Sequence, residues 1–237
     1  MGSARRPPSP IVDPGALART GLAGGALDPL TVEVPAGTCL LVTGPPLSGT
    51  ARLSTAALVA GHAAGSATVA VTTEEPGGDV RDRFERFAGP AYDADRFAVV
   101  DCAGGPAGDL REDGPDQRVS SPNDLTGVGM ALMRALNDLD GGDGGYRLLF
   151  DSLSTLLPYR GAETTFKFAH TVCSRLRQAG ALGLFTFDGG AHDDRAVNTL
   201  RQTFDGAVEL DSGEDGPRVR VRGLGHDGEW ASVDVPD

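Results

Sequence analysis

The sequence predicts an α/β domain: a mostly parallel sheet flanked by helices, with an antiparallel hairpin and an edge strand at its C-terminal end. Three observations predict it. Apolar runs such as CLLVTG, ATVAVT and RLLFD alternate with segments of helical length. These runs are apolar throughout rather than at every second residue, the pattern of strands covered on both faces. Near the C-terminus, GAVELDS and RVRVRGL read as two short strands joined by a Gly- and Asp-rich turn, a hairpin signal.

Taken in order, residues 38–44 (TCLLVTG) form the first strand and residues 51–62 the helix after it. A second strand covers 66–75 and ends on Glu74 and Glu75. Residues 79–89 make an amphipathic helix whose apolar positions Val80, Phe84 and Phe87 share one stripe. The third strand covers 96–102, and residues 103–117, rich in Gly, Pro and Asp, form a flexible loop. A helix opens after Pro122 with Asn123 or Asp124 as its cap. The fourth strand, YRLLFD, ends at Asp151. The helix ETTFKFAHTVCSRLRQAG stops at Gly180, a glycine signal for a helix C-terminus. The fifth strand covers 181–188, a helix follows over 193–204, and strands at 206–212, 218–224 and 229–235 close the fold. Residues 1–13 are expected to be a flexible tail and residues 14–237 one domain.

Composition narrows the function classes. The chain of 237 residues carries 33 acidic and 21 basic residues, a net charge of −12. Of the acids 24 are Asp, and Lys167 is the single lysine beside 20 arginines. An acidic, nearly lysine-free surface suits a salty cytoplasm, where screening suppresses self-repulsion. A GC-rich genome explains the Arg-for-Lys usage equally well. Nucleic-acid binding is disfavoured, because neutralising phosphates drives it. No apolar run reaches the ~20 residues of a membrane span, and the opening MGSARRPPSP has no apolar segment behind its arginines. Cys39, Cys102 and Cys173 show no CxxC spacing and read as reduced, buried thiols of a cytoplasmic protein.

The chemistry concentrates where the first strand meets its helix. In GPPLSGTA, Gly44 and Gly49 have the spacing of a phosphate-binding loop, G-x-x-x-x-G-K-[ST]. Such a loop turns backbone amides onto the phosphates at a helix N-terminus. Its lysine bridges the terminal phosphates and its hydroxyl holds magnesium; here those two positions are Thr50 and Ala51. Arg52 falls roughly 200° further round the helix than the lysine position, which turns it away, and Lys167 sits on another helix. Asp151 closes an apolar strand, as a water-mediated magnesium ligand does, or as a plain helix cap does. Glu74 and Glu75 can polarise an attacking water, or be merely solvated. His192, Asp193 and Asp194 read as a helix-start loop rather than a metal site.

In sequence order, TGLAGGALDPLTVEVPAGTCLLVTGPPLSGT, VAVTTEEP, YRLLFDSLSTLLPY and RVRVRGL resemble the KaiC-like branch of the RecA/RadA ATPase superfamily, over roughly residues 14–236. SSPNDLTGVG, DSLSTLL and GALGLFTFDGGAHDDR look like an uncharacterised haloarchaeal group within that branch. The resemblance implies a RecA-like fold. It implies a nucleotide-binding segment of Gly44, Pro45, Pro46, Leu47, Ser48, Gly49, Thr50 and Ala51, with Asp151 as the acidic residue near magnesium. Glu74 and Glu75 match the water-activating pair. Arg220 and Arg222 match basic residues that reach a neighbouring subunit's nucleotide, although a solvated edge-strand face explains them equally well. ATP and Mg2+ are the ligands implied, and Thr50 and Ala51 argue against both being held in the ordinary way.

The function expected is therefore a pseudo-ATPase: a RecA-like domain with a degenerate phosphate loop, catalytically impaired, in a regulatory or scaffolding role. Self-association or a protein partner fits this reading, with a monomer or dimer preferred to a hexamer. An ATPase with a divergent loop is the alternative, and a DNA-associated recombinase-like accessory the third.

Overall fold

Successive residues of each central strand project to opposite faces, and both faces are covered. The structure, a computed structural model, describes residues 34–104, 110, 114–141, 144–188, 194–213 and 216–233. The tail expected at 1–13 and the residues His192 and Asp193 lie outside these. Strands β1 (Cys39–Gly44), β2 (Ala67–Thr72), β3 (Phe97–Asp101), β5 (Tyr146–Asp151), β6 (Leu182–Asp188) and β7 (Gly206–Asp211) run parallel. The short β4 (Gln117–Arg118) pairs parallel with β3. Strand β8 (Arg218–Gly223) turns back antiparallel on β7, and β9 (His226–Asp227) and β10 (Ala231–Ser232) pair antiparallel with β8. The sheet order is β10-β8-β7-β1-β6-β5-β2-β3-β4, with β9 beside β8. The mostly parallel α/β architecture with an antiparallel C-terminal end matches the expectation.

Helices α1 (Thr50–Ala63) and α2 (Gly77–Ala88) cover one face. Leu53, Leu58, Val80 and Phe84 pack there against Leu40, Val42, Leu149 and Leu184. Phe84 stacks on Phe97 with ring centroids 3.8 Å apart. Helices α3 (Leu125–Asp138) and α4 (Leu157–Ala179) cover the other face, where Val128, Leu132, Val172 and Leu176 meet Leu41, Val71, Phe150 and Phe185. Helix α5 (Asp194–Arg201) follows β6. Each of these large side chains contributes on the order of 1.5–3 kcal/mol by leaving water. All three cysteines are buried and free, as expected. Among the described residues no helix is long and apolar enough to cross a membrane.

Several boundaries differ from expectation. Asp124 caps α3 by accepting from Gly127 N at 2.9 Å, and Gly180 ends α4 in the left-handed conformation. The span Leu157–Ala179 of α4 is a short first turn and a longer helix separated at Gly161, whose φ 70 and ψ 163 are not helical, and the longer part follows the expected segment from Glu163. Pro158 fits the first turn, where a missing N–H is not needed. The second strand stops at Thr72, so Glu74 and Glu75 sit in a turn. That turn is closed by Thr72 Oγ1, which donates to Glu75 O at 2.8 Å and accepts from Glu75 N at 3.2 Å. The last strand shrinks to Ala231–Ser232. The strand Gln117–Arg118 begins inside the segment read as loop.

Candidate functional site

The sheet order brings four carboxyl strand ends together. Gly44 of β1 lies level with Asp188 of β6, and Thr72 of β2 level with Asp151 of β5, while β5 pairs with β6. Ligands of open parallel sheets bind beyond such ends. Above them opens a cavity of about 930 Å³, lined by Gly44 to Arg52, the two turn glutamates, Asp151 and Asp188.

The loop between β1 and α1 forms one wall. Gly49, with φ 88, takes the left-handed conformation that swings the chain into α1, a conformation open to glycine at no steric cost. Ser48 N donates to Pro45 O at 3.1 Å, and Leu53 N to Gly49 O at 2.9 Å. Ser48 folds under the loop against Gly44, where a Cβ would stand 2.5 Å from Ser48 Oγ. That hydroxyl oxygen is buried and has no hydrogen-bond partner. No side chain caps α1, so the amides of its first turn lack intrahelical partners and carry the positive end of the helix dipole. Pro45 and Pro46 add no N–H donors. Leu47 crowns the loop, fully exposed, with φ 64. These features suit a loop that receives an anion from above.

The opposite wall is acidic. The Asp151 carboxylate accepts the Thr186 hydroxyl. Burial pushes its pKa up, opposed by the Thr186 hydrogen bond, with Glu75 raising it and Arg83 lowering it. Glu74 is raised too, by burial first and then by Asp151, Glu75 and Asp188. Glu75 pairs with Arg83 of α2, which also lines the cavity. Behind this wall Thr73 Oγ1 accepts from Ser152 N at 2.8 Å and from Thr155 Oγ1 at 2.7 Å, tying the β2 turn to the segment after β5. Ser154 Oγ accepts from Asp188 N at 2.8 Å.

Of the residues singled out in the sequence, the loop Gly44 to Ala51, Glu74, Glu75 and Asp151 all line this one cavity. Arg220 and Arg222 do not. They line an adjoining recess of about 360 Å³ beyond Gly44, facing Glu209 and Trp230. Arg220 pairs with Glu209 at 2.7 Å and lies over the Trp230 ring at 4.3 Å, while Arg222 Nε stands 3.9 Å from Glu209. Arg52, expected to turn away, is among the cavity-lining residues, because the cavity extends around the first turn of α1. Lys167 is remote, exposed and paired with Glu163 at 2.7 Å.

Sequence reasoning missed Asp188 and Arg83. Asp188 carries the same signal as Asp151, an acid ending an apolar strand. Arg83 carries none: it lies off the Val80–Phe84 stripe, and nothing local says that this polar face meets a cavity.

The loop and the cavity fit a polyphosphate, by the orphaned Ser48 hydroxyl and the open amides. They do not complete a divalent-cation site. Ala51 offers a methyl group, Asp151 is engaged by Thr186, and among the described residues no three His, Cys, Asp or Glu side chains converge as metal ligands do.

Residues 37–210 match the model of DUF7504, a family of unknown function. The chain belongs to DUF7504. No curated protein matches it. Among solved structures, this DUF7504 member is similar to the KaiC-like protein PH0186 from the hyperthermophilic archaeon Pyrococcus horikoshii OT3. The TM-score is 0.61 at 17% identity, over 84% of this chain and 86% of that one. At that identity the likeness establishes the fold alone: this DUF7504 member has a RecA-like fold, similar to that of the KaiC-like protein.

Proposed function

We propose that this DUF7504 protein is a KaiC/RecA-like domain with a degenerate phosphate loop. It holds a nucleotide chiefly through main-chain amides, turns it over poorly, and acts in a regulatory or scaffolding role. The observation that carries this is the loop itself. Gly44 to Ala51 opens into a cavity of about 930 Å³ with an unpartnered Ser48 hydroxyl and an uncapped helix start. Thr50 and Ala51 stand where a lysine and a magnesium hydroxyl would act. Losing one such preorganised contact costs on the order of 10²–10³ in rate. Without tightly held nucleotide between neighbours the assembly is a monomer or dimer.

Calorimetric titration with ATP, with and without Mg2+, and a hydrolysis assay in high salt test this. Weak binding without turnover is expected. Turnover that Glu75→Gln abolishes overturns the impaired reading in favour of a divergent ATPase. One observation favours that second reading: Glu75 and a guanidinium share the cavity wall.

A further inference from the structure

The cavity is short of positive charge. Four carboxylates, Glu74, Glu75, Asp151 and Asp188, face it against the guanidinium groups of Arg52 and Arg83. Arg52 is exposed at the start of α1. Arg83 is different, because its side chain is only 17% exposed and its Nε is buried without a hydrogen-bond partner. It rises from α2, and its pairing with Glu75 holds it in the cavity wall.

We propose that Arg83 is the residue that recognises the terminal phosphate of a bound polyphosphate chain, supplied from α2 in place of a loop lysine, with Glu75 holding it in reserve. This rests on the nucleotide-binding reading above and names the group that gives it specificity. A guanidinium matches phosphate oxygens in a planar, two-pronged geometry that an ammonium does not. The Glu75 side chain is 45% exposed, so water can take over its solvation when the guanidinium leaves. A terminal phosphate carries more charge than one carboxylate and offers three oxygens, so it displaces Glu75 from Arg83. The Nε donor, idle in the pair, then has an acceptor. The consequence is discrimination by chain length: a triphosphate reaches Arg83, and a diphosphate seated on the same amides does not.

The test is calorimetric titration of the full chain with ATP, ADP and inorganic tripolyphosphate, for the wild type and for Arg83→Gln, Arg83→Lys and Glu75→Gln. Circular dichroism establishes that each variant folds. Arg83→Gln is expected to weaken ATP and tripolyphosphate by about tenfold or more and to leave ADP within about twofold. Arg83→Lys falls between, and Glu75→Gln tightens ATP because the guanidinium is released. A role confined to packing would not reverse sign between the two partners of one ion pair. ATP binding that ignores Arg83, or equal losses for ATP and ADP, overturns this inference alone. A wild type that binds none of the three overturns the nucleotide-binding reading with it. Binding of ATP but not tripolyphosphate assigns the ligand as a nucleoside triphosphate; equal binding of both assigns recognition to the phosphate chain. Either result supports the role of Arg83 if its variants lose that binding.

Discussion

Gly61 of α1 lies directly against the side chain of Arg147 on β5: a Cβ at Gly61 would stand 2.1 Å from Nε and 2.2 Å from Cδ. Arg147 is 3% exposed and donates to Ala57 O at 3.3 Å, so it has no room to retreat. Burial lowers its pKa to about 10, which still leaves it charged near neutrality. Gly61→Ala gains up to ~1 kcal/mol of helix propensity, yet overpacking of this kind costs about 1–3 kcal/mol or more. The net expectation is a Tm lower by roughly 3–8 °C for a chain of this size. Adding Arg147→Met removes the blocked atoms and should recover most of the loss. Thermal melts of the single and double variants decide it, and an unchanged Gly61→Ala melt refutes the clash.

Glu74 gives a second, opposite expectation. Its raised pKa means that the folded state binds its proton more tightly than the unfolded chain does. Stability therefore falls as pH rises from the ordinary value of 4.5 through the raised one. Glu74→Gln removes a charge that burial disfavours first, and with it the repulsion from Asp151, Glu75 and Asp188. It should raise Tm near neutrality by up to about 2 °C and leave it unchanged well below pH 4.5. A gain that is the same at both ends of the pH range would show that charge is not its cause.

Much of this architecture was legible because it is written in local chemistry. Continuous apolar runs specified the double-covered parallel sheet, Asp124 and Gly180 marked helix ends, and the Gly44–Gly49 spacing marked the loop. The helical turn that starts at Leu157, ahead of the break at Gly161, is too short to show as a periodic pattern. The rest of what failed to show was set by tertiary neighbours. Arg83 belongs by sequence to an ordinary polar helix face, and only the sheet order places that face beside Asp151. Asp116 reads as one more acid in a Gly- and Asp-rich loop, although the fold buries it.

His62 makes folding sensitive to mild acid. Its Nε2 accepts from Asp93 N at 2.9 Å, and its Nδ1 lies 3.0 Å from Thr68 Oγ1, whose hydroxyl donates to Arg96 O at 3.2 Å. The ring is thus neutral, with its proton on Nδ1. Burial first, then Arg96, lowers its pKa from 6.5 to about 4, against the pull of Asp93. A depressed histidine binds fewer protons folded than unfolded, so stability is lost as pH falls from 6.5 towards 4. The full loss is about 3 kcal/mol. Urea midpoints across this range should fall steeply for the wild type and less so for His62→Gln, which starts lower. Parallel slopes would rule His62 out as the titrating group.

Arg81 and Asp116 form the most deeply buried ion pair among those described, with side chains 8% and 1% exposed. Arg81 also donates to Tyr92 Oη at 2.8 Å and lies over the Phe97 ring at 5.1 Å, while Asp116 accepts from Val99 N at 2.9 Å. The pair therefore fastens the segment before β4 to both α2 and β3. Two charges taken out of water gain little net stability together, but removing one strands the other. Asp116→Asn should cost about 3 kcal/mol, lowering Tm by roughly 6–12 °C. Arg81→Met alone should cost a similar amount, and the double variant less than the sum of the two. That non-additivity in urea unfolding is the signature of a coupled buried pair. Additive losses would mean that each side chain is held by its other partners and that the ion pair itself contributes nothing.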